Sequence, residues 1–588
     1  MVDATLTPTT RLTVRFHGER SGSAELTWAQ RHIWERCRAI APQEAYFNLH
    51  RVIEPPGTCD AAQVARAVRL LVERYEALRT TIGRAPDGQP RQQVAATGEL
   101  DIDVHEVDVA GDVTSTVELA SVEHGGHRFT DDEWPLRVAV VTRSGKVLRV
   151  LLTASHVAVD WVGVRLVCGV FAQLLAGDSA DLPPATHHPL DEAIAETSPA
   201  GRQRAERAAE YWRQTLRTVP HTLATTTGVA EPTERQPRQW SPAGQLRSSA
   251  VAMAANLLAE RHDATPTSVV LAAFSALLCA RSGIDLTSLQ LFVGNRFAPQ
   301  HRDMVTTRVQ HGLFAVDLRE ATFVTAVRRT KGAALCAYRH AQYPPALIQE
   351  AIDDVSVQRG LRIDLSFFFH DRTHGVWPGN HTRALEPEPA TIADALSRSR
   401  YRRDVLWDRH QQLRFDLQAR DPWVMLRLAA DPRFLSAQEV ATVLHGIETL
   451  LVTAVRGDFP LADVPALTGL ASVCHSREVR SDGCWIAPEV VRLLVSDVPD
   501  VTATHIDITG PPTDHRLVAH VATRNPSLSA ADLHVACMYR VRSRPGSSTP
   551  HHYVIHPHTP HLDPAQRWWE SIPIQSQGTG RPPLEPGK

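Results

Sequence analysis

The run Ser155-His156-Val157-Ala158-Val159-Asp160 places a histidine four residues ahead of a carboxylate, at the end of an apolar stretch. A neutral imidazole held there can take a proton from an amine or hydroxyl nucleophile near pH 7. Asp160 is expected to lock the loop by pairing with a distant arginine rather than by touching the histidine. Ser155 adjoins His156 in sequence, and neighbouring side chains on extended backbone point apart, so a serine nucleophile is not expected. No Ser/His/Asp triad is identifiable. On its own H-x-x-x-D is a common spacing, and a satisfied buried histidine is the competing reading.

Such a histidine needs a rigid support. Val138–Val141 and Val147–Thr153 are runs rich in β-branched residues, separated by the turn Arg143-Ser144-Gly145-Lys146. Val162 to Leu175 then reads as an apolar helix, giving the order strand, loop with histidine, helix. Upstream, Ala61 to Tyr75 carries Val64, Ala67, Val68, Leu71 and Val72 at helical spacing. Downstream, a polar Pro/Asp/Ala linker from Gly177 to about Gly201 leads to a helix over Arg202–Leu216 and an irregular stretch to about Pro242. Thr265-Pro266-Thr267 marks a helix start and Gly283 its stop. Strands follow at LQLFVG and GLFAVDL, then helices near 322–340 and 437–455. The texture changes near Gly469. The spacing predicts an α/β fold with domains at 1–180 and 243–470, a linker and bridging helix over 181–242, and a small α+β module over 471–588.

With 588 residues the chain is too long for one core. A net charge of −3 disfavours a phosphate-binding surface, so nucleic acid is not an expected partner. No apolar run reaches the ~18–20 residues that span a bilayer, and the N-terminus lacks the pattern of a secretory signal. Eight cysteines without a C-x-x-C pair fit a reduced, cytoplasmic protein. The tract His551, His552, His556, His558, His561 invites a metal hypothesis, but it lacks convergent Cys or carboxylate ligands and reads as a short strand around Tyr553–Ile555 entering a Pro-broken loop. No metal is expected.

Other segments give His156 its context. Leu26-Thr27-Trp28-Ala29-Gln30-Arg31 with Ile33-Trp34 and Tyr46-Phe47-Asn48, Arg74-Tyr75-Glu76-Ala77-Leu78-Arg79-Thr80, SHVAVDW, Tyr211-Trp212-Arg213-Gln214-Thr215-Leu216, and Val293-Gly294-Asn295-Arg296 followed by Gly312–Leu318 resemble, in order, five motifs of the condensation domains of nonribosomal peptide synthesis. Leu426 to Leu470 resembles that family's closing strand and helix. The resemblance implies two chloramphenicol-acetyltransferase-like lobes in a V-shaped pseudo-dimer, with the catalytic histidine, here His156, midway along a tunnel between them. It implies that Asp160 is structural and pairs with an arginine, for which Arg296 is the candidate, with Arg74 and Arg79 as buried supports. Trp161, Gly163, Gln310, His311 and His370 are assigned to the substrate tunnel. The chain departs from the family where Ser155 replaces the motif's first histidine, Trp161 replaces a glycine, Gln310 or His311 stands near a usual asparagine, and His370 takes the place of an amide.

The reaction so implied is acyl or aminoacyl transfer to an amine, or else a hydroxyl, free or carrier-bound. The donor arrives on the phosphopantetheine arm of a separate carrier protein, and no cofactor is bound by the chain itself. Two alternatives stay open: an acyl-CoA-dependent ester- or amide-forming transferase, and a catalytically degenerate platform that recruits partner enzymes. Ile486–Val491, Asp497–Val501 and Leu517–Val521 resemble the small C-terminal subdomain of adenylating enzymes. Thr579-Gly580-Arg581 stands where such enzymes carry their catalytic lysine, so adenylation by this module is not expected.

Overall fold

The two runs preceding His156 form the strands Leu136–Arg143 and Lys146–Ala154, an antiparallel hairpin turned at Ser144 and Gly145. Both turn residues have positive φ, 51° and 72°, as a two-residue hairpin turn demands. Val138, Val140, Val150 and Leu152 pack on one side with Val68 and Leu71 of the helix Ala61–Arg74 and Val164 and Val167 of the helix Trp161–Ala176. Ala139, Val141 and Leu151 pack on the other side against Ala120 of the helix Val113–Gly125. Burial of both faces is why these strands read as unbroken apolar runs instead of alternating ones.

The computed structural model describes residues 7–177, 182, 185–223, 240–373, 375–378, 389–407, 411–541, 547–557, 569 and 572–582. Most of the irregular stretch before Pro242, part of the 177–201 linker, His558 and His561, and residues 583–588 of the tail lie outside them. The chain divides into two units, one of Met1–Ala208 with Val293–Gln310 and Ala341–Leu347, the other of Ala209–Phe292, His311–His340 and Ile348–Lys588.

In the first unit a five-stranded sheet runs in the order Thr10–His17, Thr97–Glu106, Leu136–Arg143, Lys146–Ala154, Leu49–Ile53. The helix Ala61–Arg74 starts at a capping box formed by Asp60 and Gln63. The helix expected from Arg202 begins three residues earlier, spanning Pro199–Leu216. Pro199 fits a first helical turn, and Ser198 Oγ accepts the Gly201 N–H at 3.1 Å.

The second unit holds a seven-stranded sheet ordered Gln310–Asp317, Leu286–Val293, Phe367–Asp371, Leu413–Arg420, Trp423–Ala430, Trp240–Ser248, Arg400–Trp407. The helix Pro266–Ser282 begins at a Thr265 cap and stops at Gly283 (φ 66°). Buried residues occupy nearly its whole circumference, so it lacks an amphipathic period. Beyond Gly469 a four-stranded sheet, Val501–Thr509, Arg516–Thr523, His552–His556 and Ser576–Gly578, packs with the helices Pro488–Ser496 and Ala530–Val541 around Leu494, Val521, Leu533 and Tyr553. This layer is fastened to the rest of its unit. Arg359 Nη1 donates to the carbonyls of Leu216 and Val219 (2.6 and 2.7 Å), while its Nη2 donates to that of Asp482 (3.2 Å). Thr549 N–H donates to Gly360 O at 2.6 Å, and His475 stacks on Trp485. All eight cysteines are free thiols. Among the described residues no single helix is long and apolar enough to cross a membrane.

Candidate functional site

Where the strand Lys146–Ala154 ends, the chain folds into a turn: the N–H groups of Ala158 and Val159 both donate to the Ser155 carbonyl, at 3.0 and 3.2 Å. This turn points the Val159 carbonyl back at the His156 ring, whose Nδ1 lies 2.9 Å from it. A carbonyl oxygen only accepts, so Nδ1 carries the proton and the neutral ring presents a lone pair at Nε2. Burial lowers the His156 pKa below its ordinary 6.5, against an opposing pull from Asp160. The ring is therefore a neutral base of fixed tautomer at pH 7. Phe47 lies 6.2 Å away, centroid to centroid.

Asp160 caps the helix Trp161–Ala176, its Oδ1 accepting the Gly163 N–H at 2.7 Å. The same oxygen accepts from Arg296 Nη2 at 2.8 Å, and Oδ2 accepts the backbone N–H of Arg308 at 3.0 Å. Arg296 also donates to the carbonyls of His301, Met304 and Thr306, at 2.8, 2.6 and 3.0 Å. One guanidinium thus gathers the 301–306 segment onto the loop that bears His156. Asn295, just before it, sits at φ 52°, and its amide donates to the carbonyls of Arg308 and Ala341. Asparagine tolerates that left-handed backbone better than most residues.

Behind this bracket Arg308 Nη1 pairs with Glu192 Oε1 at 2.9 Å, and His187 and His301 meet Glu192 Oε2 at 2.9 and 3.0 Å. Burial would raise Glu192, but its histidine and arginine partners together hold it well below the usual carboxylate range. Glu196, one helical turn on, is pushed up to about 8 by burial and by the charge of Glu192. Its Oε2 accepts the Trp28 N–H at 2.7 Å. Between pH 4.5 and 8 the folded state keeps this proton while the unfolded chain has lost it, so stability falls as pH rises through that window. At ~1.4 kcal/mol per tenfold, the cost above pH 8 is on the order of 5 kcal/mol. Glu196→Gln, which keeps an acceptor for Trp28, is expected to raise the melting temperature, with a gap over the parent that widens from pH 5 to pH 8.5. A gap independent of pH would refute this.

The remaining first-unit residues take varied places. Ser155 lines a small cavity of about 30 Å³ with Gln30, Gln92 and Pro135, room for a water or two. Trp161 opens its helix with the Arg51 guanidinium 3.9 Å from its ring centre. Gly163 is buried in the first turn of that helix, where a Cβ would stand 3.2 Å from Thr306 O. Arg79 is buried and donates from Nη1 to the carbonyls of Arg20 and Ala95, at 2.7 and 2.5 Å. Arg74 ends its helix half-buried, over the Tyr75 ring. Gln310 is buried, its amide donating to Tyr343 O at 2.8 Å.

In the second unit His311 meets Phe292 edge-on at 4.7 Å, and His370 stacks on the same ring at 4.3 Å. His370 Nδ1 lies 3.1 Å from Asp416 Oδ1.

Two parts of this arrangement escape a reading of the sequence. His32 stands unnoticed between Arg31 and Ile33 of the first motif. Burial pushes it down to about 4, with further pressure from Arg36 and His156, so a second neutral imidazole shares the electrostatic surroundings of His156. Glu192, His301 and Arg308 carry no motif. Among the described residues, His187, Glu192 and His301 form the one group with ligand-type atoms within 4.8 Å of each other, and Arg308 already occupies the carboxylate's other oxygen. In the histidine tract, His551 accepts the Leu517 N–H and faces Asp482, while His556 meets His520.

A family model described as Condensation domain matches residues 20–418. AMB antimetabolite synthetase AmbB of Pseudomonas aeruginosa is 27% identical over 406 residues, covering 61% of this chain and 31% of that protein. The chain therefore spans about a third of that relative's length. Among solved structures, a condensation domain described for chain release from the enacyloxin polyketide synthase aligns with a TM-score of 0.55 at 17% identity, over 77% of this chain and 84% of its own. The X-domain from teicoplanin biosynthesis aligns with a TM-score of 0.57 at 17% identity, over 76% and 98%. At such identities the likeness is one of fold.

Proposed function

Because the chain belongs to the condensation-domain family and shares its chloramphenicol-acetyltransferase-like fold, we propose that it is an acyltransferase joining a carrier-bound acyl or aminoacyl thioester to an amine. The observation that carries this reading is the contact from His156 Nδ1 to Val159 O, which leaves Nε2 as the base. An incoming amine hydrogen-bonds to Nε2 and attacks the thioester carbon. As the C–N bond forms, the nitrogen becomes acidic and its proton passes to His156. The C–S bond then breaks and the imidazolium gives that proton to the departing sulfur, leaving a thiol and a neutral His156. The phosphopantetheine arm is supplied by the carrier, and its positioning of the carbonyl contributes as much as the base does.

Asp160, Arg296 and Arg308 touch neither reactant in this scheme. They hold the loop so that the Val159 carbonyl keeps the ring from turning. Trp161, at the first turn of the following helix, is the residue best placed to shape access along the loop, and Arg51 fixes its indole.

The test is an intact-mass assay of a loaded carrier protein against a panel of amines, with the matching acyl-CoA run in parallel. Amide from the carrier thioester, at a kcat/KM at least tenfold above that for acyl-CoA, is expected. Equal use of acyl-CoA would favour a CoA-dependent transferase, and no product from either donor would overturn the reading.

A further inference from the structure

His187 and His301 both turn Nε2 toward a single oxygen, Oε2 of Glu192, at 2.9 and 3.0 Å. All three residues belong to the first unit, and their three ligand-type atoms lie within 4.8 Å of one another. Glu192 stands in the first turn of the helix Pro189–Thr197, His187 lies just ahead of that helix, and His301 sits in the short helix Pro299–Arg302. Each is held in place. Glu192 N–H donates to His188 O at 3.1 Å, and His301 N–H donates to Ala298 O at 3.0 Å. The His301 carbonyl accepts from Arg296 at 2.8 Å. Arg308 Nη1 takes the other oxygen of Glu192 at 2.9 Å, which leaves Oε2 to the two rings.

Two imidazoles and a carboxylate oxygen that converge on one point make a donor set for a divalent cation. Zn²⁺ takes imidazole nitrogen at ~2.0–2.1 Å and carboxylate oxygen at ~2.0–2.2 Å, so tetrahedral donors stand about 3.3 Å apart. The 2.9 and 3.0 Å contacts need open by only a few tenths of an ångström to admit the ion. Nitrogen donors argue against Ca²⁺ and Mg²⁺, which take oxygen. Burial decides among the transition metals. Side-chain exposures of 3%, 10% and 19% for Glu192, His301 and His187 leave one outward position, on the His187 side, where an octahedral ion would need three.

We propose that His187, Glu192 and His301 bind one Zn²⁺, with water as the fourth ligand. The carboxylate paired with Arg308 only accepts, so each Nε2 carries a proton in the metal-free form. In a neutral ring that proton moves to Nδ1 when the metal takes Nε2. His301 Nδ1 is buried without a hydrogen bond among the described residues, so the exchange breaks none there. The ion braces the neighbouring loop at one remove. It fixes Glu192, Glu192 holds Arg308, and the Arg308 N–H meets Asp160 Oδ2 at 3.0 Å. The site does not rest on the acyl-transfer reading and stands if that reading fails.

The test uses the full chain, stripped with a chelator and titrated with Zn²⁺ alone, followed by calorimetry and elemental analysis. One zinc per chain with a Kd of about 1 µM or tighter is expected, with a rise in melting temperature on binding. His187→Asn, at the most exposed of the three, is expected to weaken binding at least ~10²-fold, while its metal-free form melts close to the metal-free parent. His187→Cys restores a zinc ligand and should recover most of the affinity. Should the Asn variant fail to fold, zinc-edge X-ray absorption of the parent decides, with imidazole nitrogen expected at ~2.0 Å. No stoichiometric zinc in the parent, or a spectrum without imidazole, overturns the site and leaves a hydrogen-bonded brace. Zinc held equally well by His187→Asn overturns it too, because the ion then lies elsewhere.

Discussion

Replacing His156 with alanine is expected to slow amide formation ~10²–10⁴-fold while leaving the melting temperature within a few degrees of the parent. Among the described residues the ring's hydrogen bond is to Val159 O, and its removal breaks none of the contacts that tie Asp160 to Arg296 and Arg308. His156→Gln sharpens the test, because an amide N–H can still reach the Val159 carbonyl but cannot act as a base. Both variants should therefore be comparably slow. In the parent, the rate should fall as pH drops through a value below 6.5, since burial favours the neutral ring and only that form can take a proton. Steady-state rates from pH 5 to 8 check this. A parental rate in His156→Gln would remove the base from the mechanism.

The second large effect concerns Arg296. Substitution by methionine leaves the buried Asp160 carboxylate without its charged partner and strips donors from three carbonyls of the 301–306 segment. Breaking a buried pair from one side costs about 3–5 kcal/mol. Arg296→Met is expected to lose about that much stability and most activity together. Arg296→Lys should recover only part, because a single ammonium cannot reach four acceptors in a plane. Adding Asp160→Asn to Arg296→Met should cost far less than the sum of the single changes, since the stranded charge is gone. Denaturant unfolding of the four proteins measures this coupling. A loss below about 1 kcal/mol in Arg296→Met would mean that water, not the arginine, neutralises Asp160.

The local elements were legible because their signals are local. The turn at Ser144-Gly145, the Thr265-Pro266 start and the Gly283 stop each follow from backbone preferences of the residues present, and the hairpin and helix stand there. The α/β class followed from the alternation of such elements. Arg296 is 136 residues from Asp160, and motif order, not periodicity, suggested joining them; they lie 2.8 Å apart. Glu192 and Arg308 were illegible for the complementary reason. Their pairing is set by how a helix and a loop over a hundred residues apart close on each other, and no spacing records that. The Asp416 partner of His370 escaped likewise, because parallel strands 46 residues apart in sequence meet only once the sheet is built.

Arg359 has a bearing on how this protein can be cut. Its guanidinium joins the carbonyls of Leu216, which ends the helix Pro199–Leu216, and of Val219 to the Asp482 carbonyl beyond Gly469. Next to it, Gly360 at φ 68° lies so near Thr549 and Arg581 that an added Cβ would fall 2.2 Å from the threonine hydroxyl. A chimera that ends at residue 470, the natural splice point by sequence texture, would discard one side of each contact. The transplantable block is the chain through Arg581, and its C-terminal layer travels as part of the chassis, not as a trailer.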